Sequence, residues 1–90
     1  MAAGLSIVVE DHDLLREATV SMLCAHGHHA VGVVSAEEVD ELPAMALPDL
    51  YVVDVNLPGQ DGFSLARRLR AARPGVGIVM AMFRTRVGDT

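Results

Sequence analysis

A short apolar run that ends in a single carboxylate constrains the fold of this chain more than any other feature. Residues 50–54 read Leu-Tyr-Val-Val-Asp, and a Pro58-Gly59 turn follows. A Val-rich run of this length without polar alternation is typical of a parallel strand that is buried on both faces. Asp54 would then stand at the carboxyl end of that strand, at the edge where open α/β sheets hold their binding sites.

A second run, residues 5–9, has the same pattern, and Glu10 and Asp11 come directly after it. If the two strands are neighbours, about 4.8 Å apart, their three carboxylates crowd together at one edge of the sheet. Two carboxylates about 4 Å apart repel each other by about 4 kcal/mol at an effective dielectric constant of about 20. The sequence therefore predicts that Glu10, Asp11 and Asp54 form one acidic pocket, in which a bound divalent cation relieves the repulsion.

Strand and helix patterns alternate along the whole chain, and the links between them are short. We predict strands over residues 5–9, 30–34, 50–54 and 76–83, and helices over residues 13–26, from residue 35 onward and over residues 63–73. The second helix begins with a capping box, in which Ser35 precedes Glu38 by three residues. Such alternation implies one parallel sheet with helices on both faces and right-handed crossovers.

Apolar spacing in the two longer helices predicts which residues face the sheet. These are Leu15, Ala18, Met22 and Ala25 in the first helix, and Phe63, Ala66 and Leu69 in the last. Met22, Met45, Met80 and Met82 are further candidates for filling gaps in the core.

Composition narrows the classes of function. Ninety residues with 51% apolar content are enough for one domain with its own core, and we assign residues 1–90 to it. A net charge of −5 argues against nucleic-acid binding through electrostatics. Cys24 is the only cysteine, which rules out an internal disulfide and favours a cytoplasmic location. No apolar run approaches the roughly 20 residues of a membrane span, so we expect no membrane association.

Several motifs stand together at spacings typical of one family, namely Glu10-Asp11, Asp54, Pro58-Gly59 and Asp61-Gly62. In this combination the chain resembles the receiver domain of two-component response regulators over nearly all of its length. The resemblance implies an α/β fold of the flavodoxin-like, doubly wound class, with a parallel sheet in the strand order 2-1-3-4. It also implies a phosphoacceptor that takes a phosphoryl group from a sensor histidine kinase. Phosphorylation would then control an output domain of the transcriptional type, or a dimer.

The resemblance assigns roles to individual residues. Asp54 would be the phosphoacceptor, and its carboxylate would attack phosphorus as the nucleophile. Glu10, Asp11 and Asp54 would bind Mg²⁺, partly through water, and the backbone carbonyl of Asn56 would complete the protein ligands. Any catalysis would be limited to self-phosphorylation and slow autodephosphorylation.

The chain also departs from the family pattern. At the end of strand four, where receivers have Ser or Thr, stands Met82, and the sequence contains no Lys. Receivers continue with a further helix, strand and helix, so we expect residues 1–90 to be a C-terminally incomplete receiver. Strand 76–83 would then be a long apolar edge, which invites pairing with another chain. We therefore expect a homodimer through strand four.

Other functions stay open. A degenerate receiver could serve as a phosphorylation-independent interaction or dimerisation module, which Met82 and the absence of Lys favour. The histidine-rich segment 26–29 could bind a transition metal, although its spacing fits neither a helical histidine pair nor a standard zinc module. An acid-triad phosphatase is disfavoured, because Asn56 stands two residues after Asp54, where such an enzyme needs an extra acid.

Overall fold

The computed structural model describes residues 4–82, and within them strands and helices alternate from end to end. The strands are β1 (Leu5–Val9), β2 (His29–Val33), β3 (Leu50–Asp54) and β4 (Gly77–Ala81). The helices are α1 (Asp13–Ala25), α2 (Ala36–Asp40) and α3 (Gly62–Ala72), with a 3₁₀ turn over Ala44–Ala46 between α2 and β3. Phe83, predicted to end the last strand, lies outside the described residues. Among residues 4–82 we find no helix with the length and apolarity to cross a bilayer.

The four strands form one parallel sheet in the order β2-β1-β3-β4, as predicted. In the register of the sheet, Val9 of β1 lies between Val33 of β2 and Val53 of β3. Because β1 and β3 are neighbours and run in the same direction, the acidic residues at their carboxyl ends emerge at the same edge.

Side-chain caps define where the second and third helices begin. Ser35 Oγ accepts the N–H of Glu38 at 3.2 Å, and Glu38 Oε1 accepts the N–H of Val34 at 2.9 Å. At the start of α3, Asp61 Oδ1 accepts the N–H of Ser64 at 2.8 Å. The bonds from the N–H groups of Glu38 and Ser64 satisfy donors that the first turn of a helix leaves without partners. The predicted capping box at α2 is confirmed for Ser35, whereas the Glu38 carboxylate accepts the N–H of Val34 and not that of Ser35.

The main core lies between one face of the sheet and the layer formed by α2 and α3. Its buried residues are Ile7, Val9, Val33, Ala36, Val39, Tyr51, Val53, Leu57, Leu65 and Val76. Helix α1 packs against β1 and β2. The removal of this apolar surface from water holds β1 and β3, the strands that carry the acids, side by side.

The predicted inward stripe of α1 was right for Leu15, which is half-buried, and wrong for its other members. Three of its four members, Ala18, Met22 and Ala25, are exposed. Besides Leu15, the half-buried residues of the helix are Arg16, Thr19, Val20 and Leu23. A helix with apolar residues on more than one side has more than one face that could be buried. Its sequence alone therefore does not say which side faces the sheet. Here the helix is turned so that the stem of Arg16 and the side chain of Val20 lie over Gly32.

The prediction of the buried face of α3 was also partly wrong. Phe63 is 53% exposed, whereas Leu65, which we did not predict, is fully buried. Ala66 and Leu69 are half-buried, in line with the prediction. Met22, Met45 and Met82 are more than half exposed, so their assignment to the core was wrong as well.

Candidate functional site

Three carboxylates meet at the carboxyl edge of the sheet, where β1 and β3 end. Glu10 directly follows β1, Asp11 comes next, and Asp54 is the last residue of β3. A carboxylate oxygen of each residue lies within 4.8 Å of those of the other two. The predicted acidic pocket is therefore confirmed as geometry, while the metal-binding role of its members stays a prediction.

The three acids differ in their access to solvent. Glu10 is 2% exposed and Asp54 is 6% exposed, whereas Asp11 is exposed. Burial of a charged carboxylate is costly unless the charge is compensated by a partner or a metal ion. The pocket thus combines two buried acids with a third at its open side.

Only one of the two carboxylate oxygens of Glu10 accepts a hydrogen bond from the described part of the protein. Its Oε2 accepts the N–H of His12 at 2.9 Å. Its Oε1 is buried and has no hydrogen-bond partner among the described residues. Burial is the main reason that the pKa of Glu10 rises from 4.5 to about 7; the His12 N–H opposes this rise, and the neighbouring Asp54 carboxylate adds to it. An orphaned oxygen inside an acidic pocket is the environment that a bound cation would complete.

Asp54 is positioned by contacts on both its side chain and its backbone. Its Oδ1 accepts the N–H of Asn56 at 3.1 Å. Its carbonyl oxygen lies against Gly62, where an added Cβ atom would stand only 2.1 Å away. The Gly62 N–H donates to the carbonyl oxygen of Val55 at 3.0 Å. Glycine at the first position of α3 therefore lets the helix close directly over the end of β3.

The loop between β3 and α3 is anchored to the core and to two helices. Leu57 is buried in the main core, while Asn56 is exposed. Arg68 of α3 donates to Gln60 Oε1 at 3.1 Å and to Asp40 Oδ1 at 3.1 Å, which links this loop to α2. Asn56, the residue predicted to offer a carbonyl ligand, thus lies two residues after Asp54 in a loop that is anchored at both its core and its helix contacts.

Two residues that support the pocket were missed in these roles. Arg16 Nη1 donates to the carbonyl oxygen of Glu10 at 3.1 Å. Gly62 was noted only as part of a motif, not as the point where α3 approaches Asp54. An arginine in an amphipathic helix and a glycine in a turn both have ordinary surface interpretations. No pattern in the sequence therefore distinguished them.

The other residues that the sequence singled out are not members of the acidic group. Met82 directly follows Ala81, which pairs with Asp54 in the register of the sheet, and it is 62% exposed. His26, His28 and His29 are also exposed, and within residues 4–82 the acidic pocket is the only group of three or more His, Cys, Asp or Glu side chains placed to hold a metal ion. The described part of the chain gives no support to the transition-metal hypothesis.

The donor set favours a hard cation. All three side chains offer carboxylate oxygens. Mg²⁺ prefers oxygen ligands and usually keeps several of its own water molecules. Zinc sites in proteins are built mainly from nitrogen and sulfur ligands. The residues present, and above all the orphaned Oε1 of Glu10, fit Mg²⁺.

Comparison with known proteins points to one family. Residues 7–87 match the family model for the response regulator receiver domain. The transcriptional regulatory protein AfsQ1 of Streptomyces coelicolor is 41% identical over 64 residues, which is 71% of this chain and 28% of that protein. The virulence transcriptional regulatory protein PhoP of Salmonella typhimurium is 41% identical over 66 residues, or 73% of this chain and 30% of that protein. The chain thus spans less than a third of the length of these curated relatives.

A solved structure gives the same fold. The CheY-like response regulator receiver domain protein of Methanospirillum hungatei superposes with a TM-score of 0.84. The match covers 98% of this chain and 70% of that one, at 19% sequence identity. At this identity the likeness shows the fold alone, which is the flavodoxin-like, doubly wound class that the resemblance implied.

Proposed function

Because the chain belongs to the receiver domains of response regulators, we propose that it is a phosphoacceptor in two-component signal transduction. The donor is a sensor histidine kinase, and Asp54 takes the phosphoryl group. The observation that carries the proposal is the acidic pocket, in which Glu10, Asp11 and Asp54 bring carboxylate oxygens within 4.8 Å of one another. AfsQ1 and PhoP are named as transcriptional regulators, which favours a transcriptional output domain as the partner under control.

The proposed step is a displacement at phosphorus. A carboxylate oxygen of Asp54 bonds to phosphorus while the bond from phosphorus to the donor histidine nitrogen breaks, and that nitrogen keeps the electron pair. The Asn56 N–H, 3.1 Å from Asp54 Oδ1, fixes the side-chain conformation in which the carboxylate is presented. Glu10, Asp11, Asp54 and the carbonyl of Asn56 would hold Mg²⁺, which when bound offsets the negative charge of the carboxylates and of the phosphoryl oxygens.

Acetyl phosphate, a small phosphoryl donor, tests the proposal without any knowledge of the kinase. The protein is incubated with acetyl phosphate and Mg²⁺, and its intact mass is measured. We expect a gain of one phosphoryl group in the wild type and none when Mg²⁺ is replaced by EDTA, because the acidic pocket then repels the anionic donor.

Two variants locate the phosphoryl group. Asp54→Ala should show no mass gain, whereas Glu41→Gln, which changes an exposed acid directly after α2, should be modified like the wild type. Absence of any gain in the wild type, or a gain that persists in Asp54→Ala, contradicts the assignment of Asp54 as phosphoacceptor.

The second candidate function, a dimerisation module that works without phosphorylation, is favoured by β4. Among residues 4–82 this strand stands at the edge of the sheet, and Val79 on it is 49% exposed. Met82 follows it and has no hydroxyl group to contact a phosphoryl oxygen. Unpaired strand edges with apolar side chains pair readily with other chains, so we propose that two copies associate through β4.

Light scattering with and without acetyl phosphate separates the two functions. A dimer that forms only after phosphorylation supports the signalling role, and a constitutive dimer supports the interaction module. Val79→Lys should shift the protein toward monomer, whereas Val31→Lys, at a 45% exposed position on the opposite edge strand β2, should leave the dimer intact. A wild type that stays monomeric under both conditions refutes dimerisation through β4.

The same proposal includes where the domain works. Residues 1–90 act as one receiver domain in the cytoplasm, where the exposed thiol of Cys24 stays reduced. The net charge of −5 disfavours nucleic-acid binding by this segment, so contact with DNA would be made by the output partner.

A further inference from the structure

Arg16 of α1 contacts three parts of the fold next to the acidic pocket: the end of β1, the first turn of α1 and strand β2. Its Nη1 donates to the carbonyl oxygen of Glu10 at 3.1 Å, and its Nη2 donates to Asp13 Oδ1 at 2.8 Å. The Arg16 side chain is only 16% exposed, whereas the side chain of Asp13 is 78% exposed. An ion pair with such an exposed partner contributes little by itself. The bond to the backbone of Glu10 is therefore the contact in which the guanidinium has a defined structural consequence.

The stem of Arg16 lies in a space that only glycine leaves open. A Cβ atom added at Gly32 of β2 would stand 2.7 Å from Cγ and 2.9 Å from Cδ of Arg16. It would also stand 3.4 Å from Cγ2 of Val20. The two close atoms are in the middle of the arginine side chain, and its end is held by Glu10 and Asp13. The stem therefore cannot move aside while the guanidinium keeps its bonds.

Strand β2 reaches the acidic pocket by a second contact as well. The N–H of Glu10 donates to the carbonyl oxygen of Val33, the residue after Gly32, at 3.0 Å. Glu10 is thus held at its N–H by β2, at its carbonyl by Arg16, and at its carboxylate by the N–H of His12. The peptide group between Glu10 and Asp11 includes the carbonyl that Arg16 holds. Its orientation sets the direction in which Asp11 leaves the backbone.

We propose that Arg16, seated on Gly32, is a positioning residue that orients Glu10 and Asp11 toward Asp54. This inference rests on the proposed function of the pocket as a Mg²⁺-dependent phosphoacceptor site. Neither Arg16 nor Gly32 offers a ligand to the cation. Both act through the backbone at Glu10, so their loss loosens the geometry of two carboxylates at once.

The test compares Mg²⁺ affinity with stability in the same set of variants. Arg16→Met keeps most of the apolar stem but removes both hydrogen bonds. Arg16→Lys keeps the stem and the charge but lacks the planar guanidinium group, whose two terminal nitrogens donate in fixed directions. Mg²⁺ binding is measured by isothermal titration calorimetry, and stability is measured by urea unfolding in EDTA. We expect Arg16→Met to weaken Mg²⁺ binding about three- to tenfold, at or below the lower end of the range for residues that orient metal ligands, and Arg16→Lys to recover part of the loss.

Two further substitutions serve as control and as coupling test. Arg67→Met removes the same charge from an exposed position of α3, where the guanidinium contacts only Ser64 among the described hydrogen bonds, and should bind Mg²⁺ like the wild type. Gly32→Ala should weaken Mg²⁺ binding in the wild type but not in an Arg16→Ala background, because the displaced stem is then absent. Such non-additivity identifies two residues that act as a unit.

The outcomes are distinguishable. If the wild type binds Mg²⁺ but Arg16→Met and Gly32→Ala bind it equally well, the positioning role is wrong and the proposed function stands. The positioning role is equally wrong if the two variants lose only stability, since that result indicates a purely structural role. If Arg16→Met does not fold, Arg16→Lys and Gly32→Ala decide by the same criteria. A wild type that binds no Mg²⁺ overturns the proposed function and this inference with it.

Discussion

Replacing Glu10 by glutamine should change how the stability of the metal-free protein depends on pH. Burial raises the pKa of Glu10 from 4.5 to about 7 in the folded protein, and the Asp54 carboxylate contributes to the rise. The folded state therefore binds the proton of Glu10 more tightly than the unfolded state does. Stability from this group is fully present below a pH of about 4.5, and it is lost as the pH rises through about 7.

The size of the effect follows from the two pKa values. At about 1.4 kcal/mol per pKa unit, the whole difference corresponds to about 3 kcal/mol, most of which falls between about pH 5 and about pH 8. For a domain whose total stability is on the order of 5–10 kcal/mol, a change of this size is readily measured. It moves the midpoint of urea unfolding by about 2 M, if the slope is about 1–1.5 kcal/mol per molar urea.

Urea unfolding in EDTA, followed by far-ultraviolet circular dichroism, measures this dependence without a tryptophan, which the chain lacks. We expect the wild type to lose stability as the pH rises, and Glu10→Gln to lose about 2–3 kcal/mol less over the same interval, because its amide carries no charge at any pH. Glu41→Gln, a change of the same kind at an exposed glutamate, should retain the pH dependence of the wild type. Equal pH dependence in the wild type and Glu10→Gln would show that burial does not raise the pKa of Glu10.

Four further substitutions test the packing of α3 and the charge of the pocket. Gly62→Ala should lower the free energy of unfolding by about 3 kcal/mol, because the added Cβ would stand 2.1 Å from the Asp54 carbonyl oxygen. If urea unfolding of this variant is the same as that of the wild type, α3 does not approach the end of β3 this closely. Leu65→Ala should cost about 2–5 kcal/mol, and Phe63→Ala in the same helix clearly less, since Leu65 is fully buried and Phe63 is 53% exposed; the reverse order in urea unfolding contradicts the orientation of α3. Asp54→Asn should raise the melting temperature in EDTA and reduce the stabilisation by Mg²⁺, because one of three crowded carboxylates is gone. A lower melting temperature for Asp54→Asn in EDTA is inconsistent with repulsion in the pocket.

The alternation of strands and helices and the acids at the strand ends could be predicted because they are features that are local in sequence, whereas the strand order 2-1-3-4 was implied by the resemblance to receiver domains. Parallel strands joined through helices deliver their carboxyl ends to one edge. The acids that follow β1 and end β3 then have to meet if those strands are neighbours. The structure shows both the strand order and the meeting of Glu10, Asp11 and Asp54.

The rotation of the helices and the supports of the pocket could not be predicted, because they depend on tertiary packing. Met22 and Leu15 both fit an inward position in α1 by their period, yet Met22 is exposed. The orientation depends on the space above Gly32, which accepts the long stem of Arg16. An arginine stem can cover a sheet as an apolar side chain does, and hydropathy alone does not show this.

The proposed function depends on one divalent-cation site formed by three carboxylates from two adjacent strands, and Mn²⁺ in place of Mg²⁺ is a direct probe of that site. Mn²⁺ accepts similar oxygen ligands and broadens the nuclear magnetic resonance signals of groups close to it. At substoichiometric Mn²⁺, we expect the amide signals of Glu10, Asp11 and Asp54 to broaden first and together, and excess Mg²⁺ to restore them. Broadening that begins at the histidines of segment 26–29, or that spreads evenly over the exposed acids, would contradict a single site at the edge of the sheet.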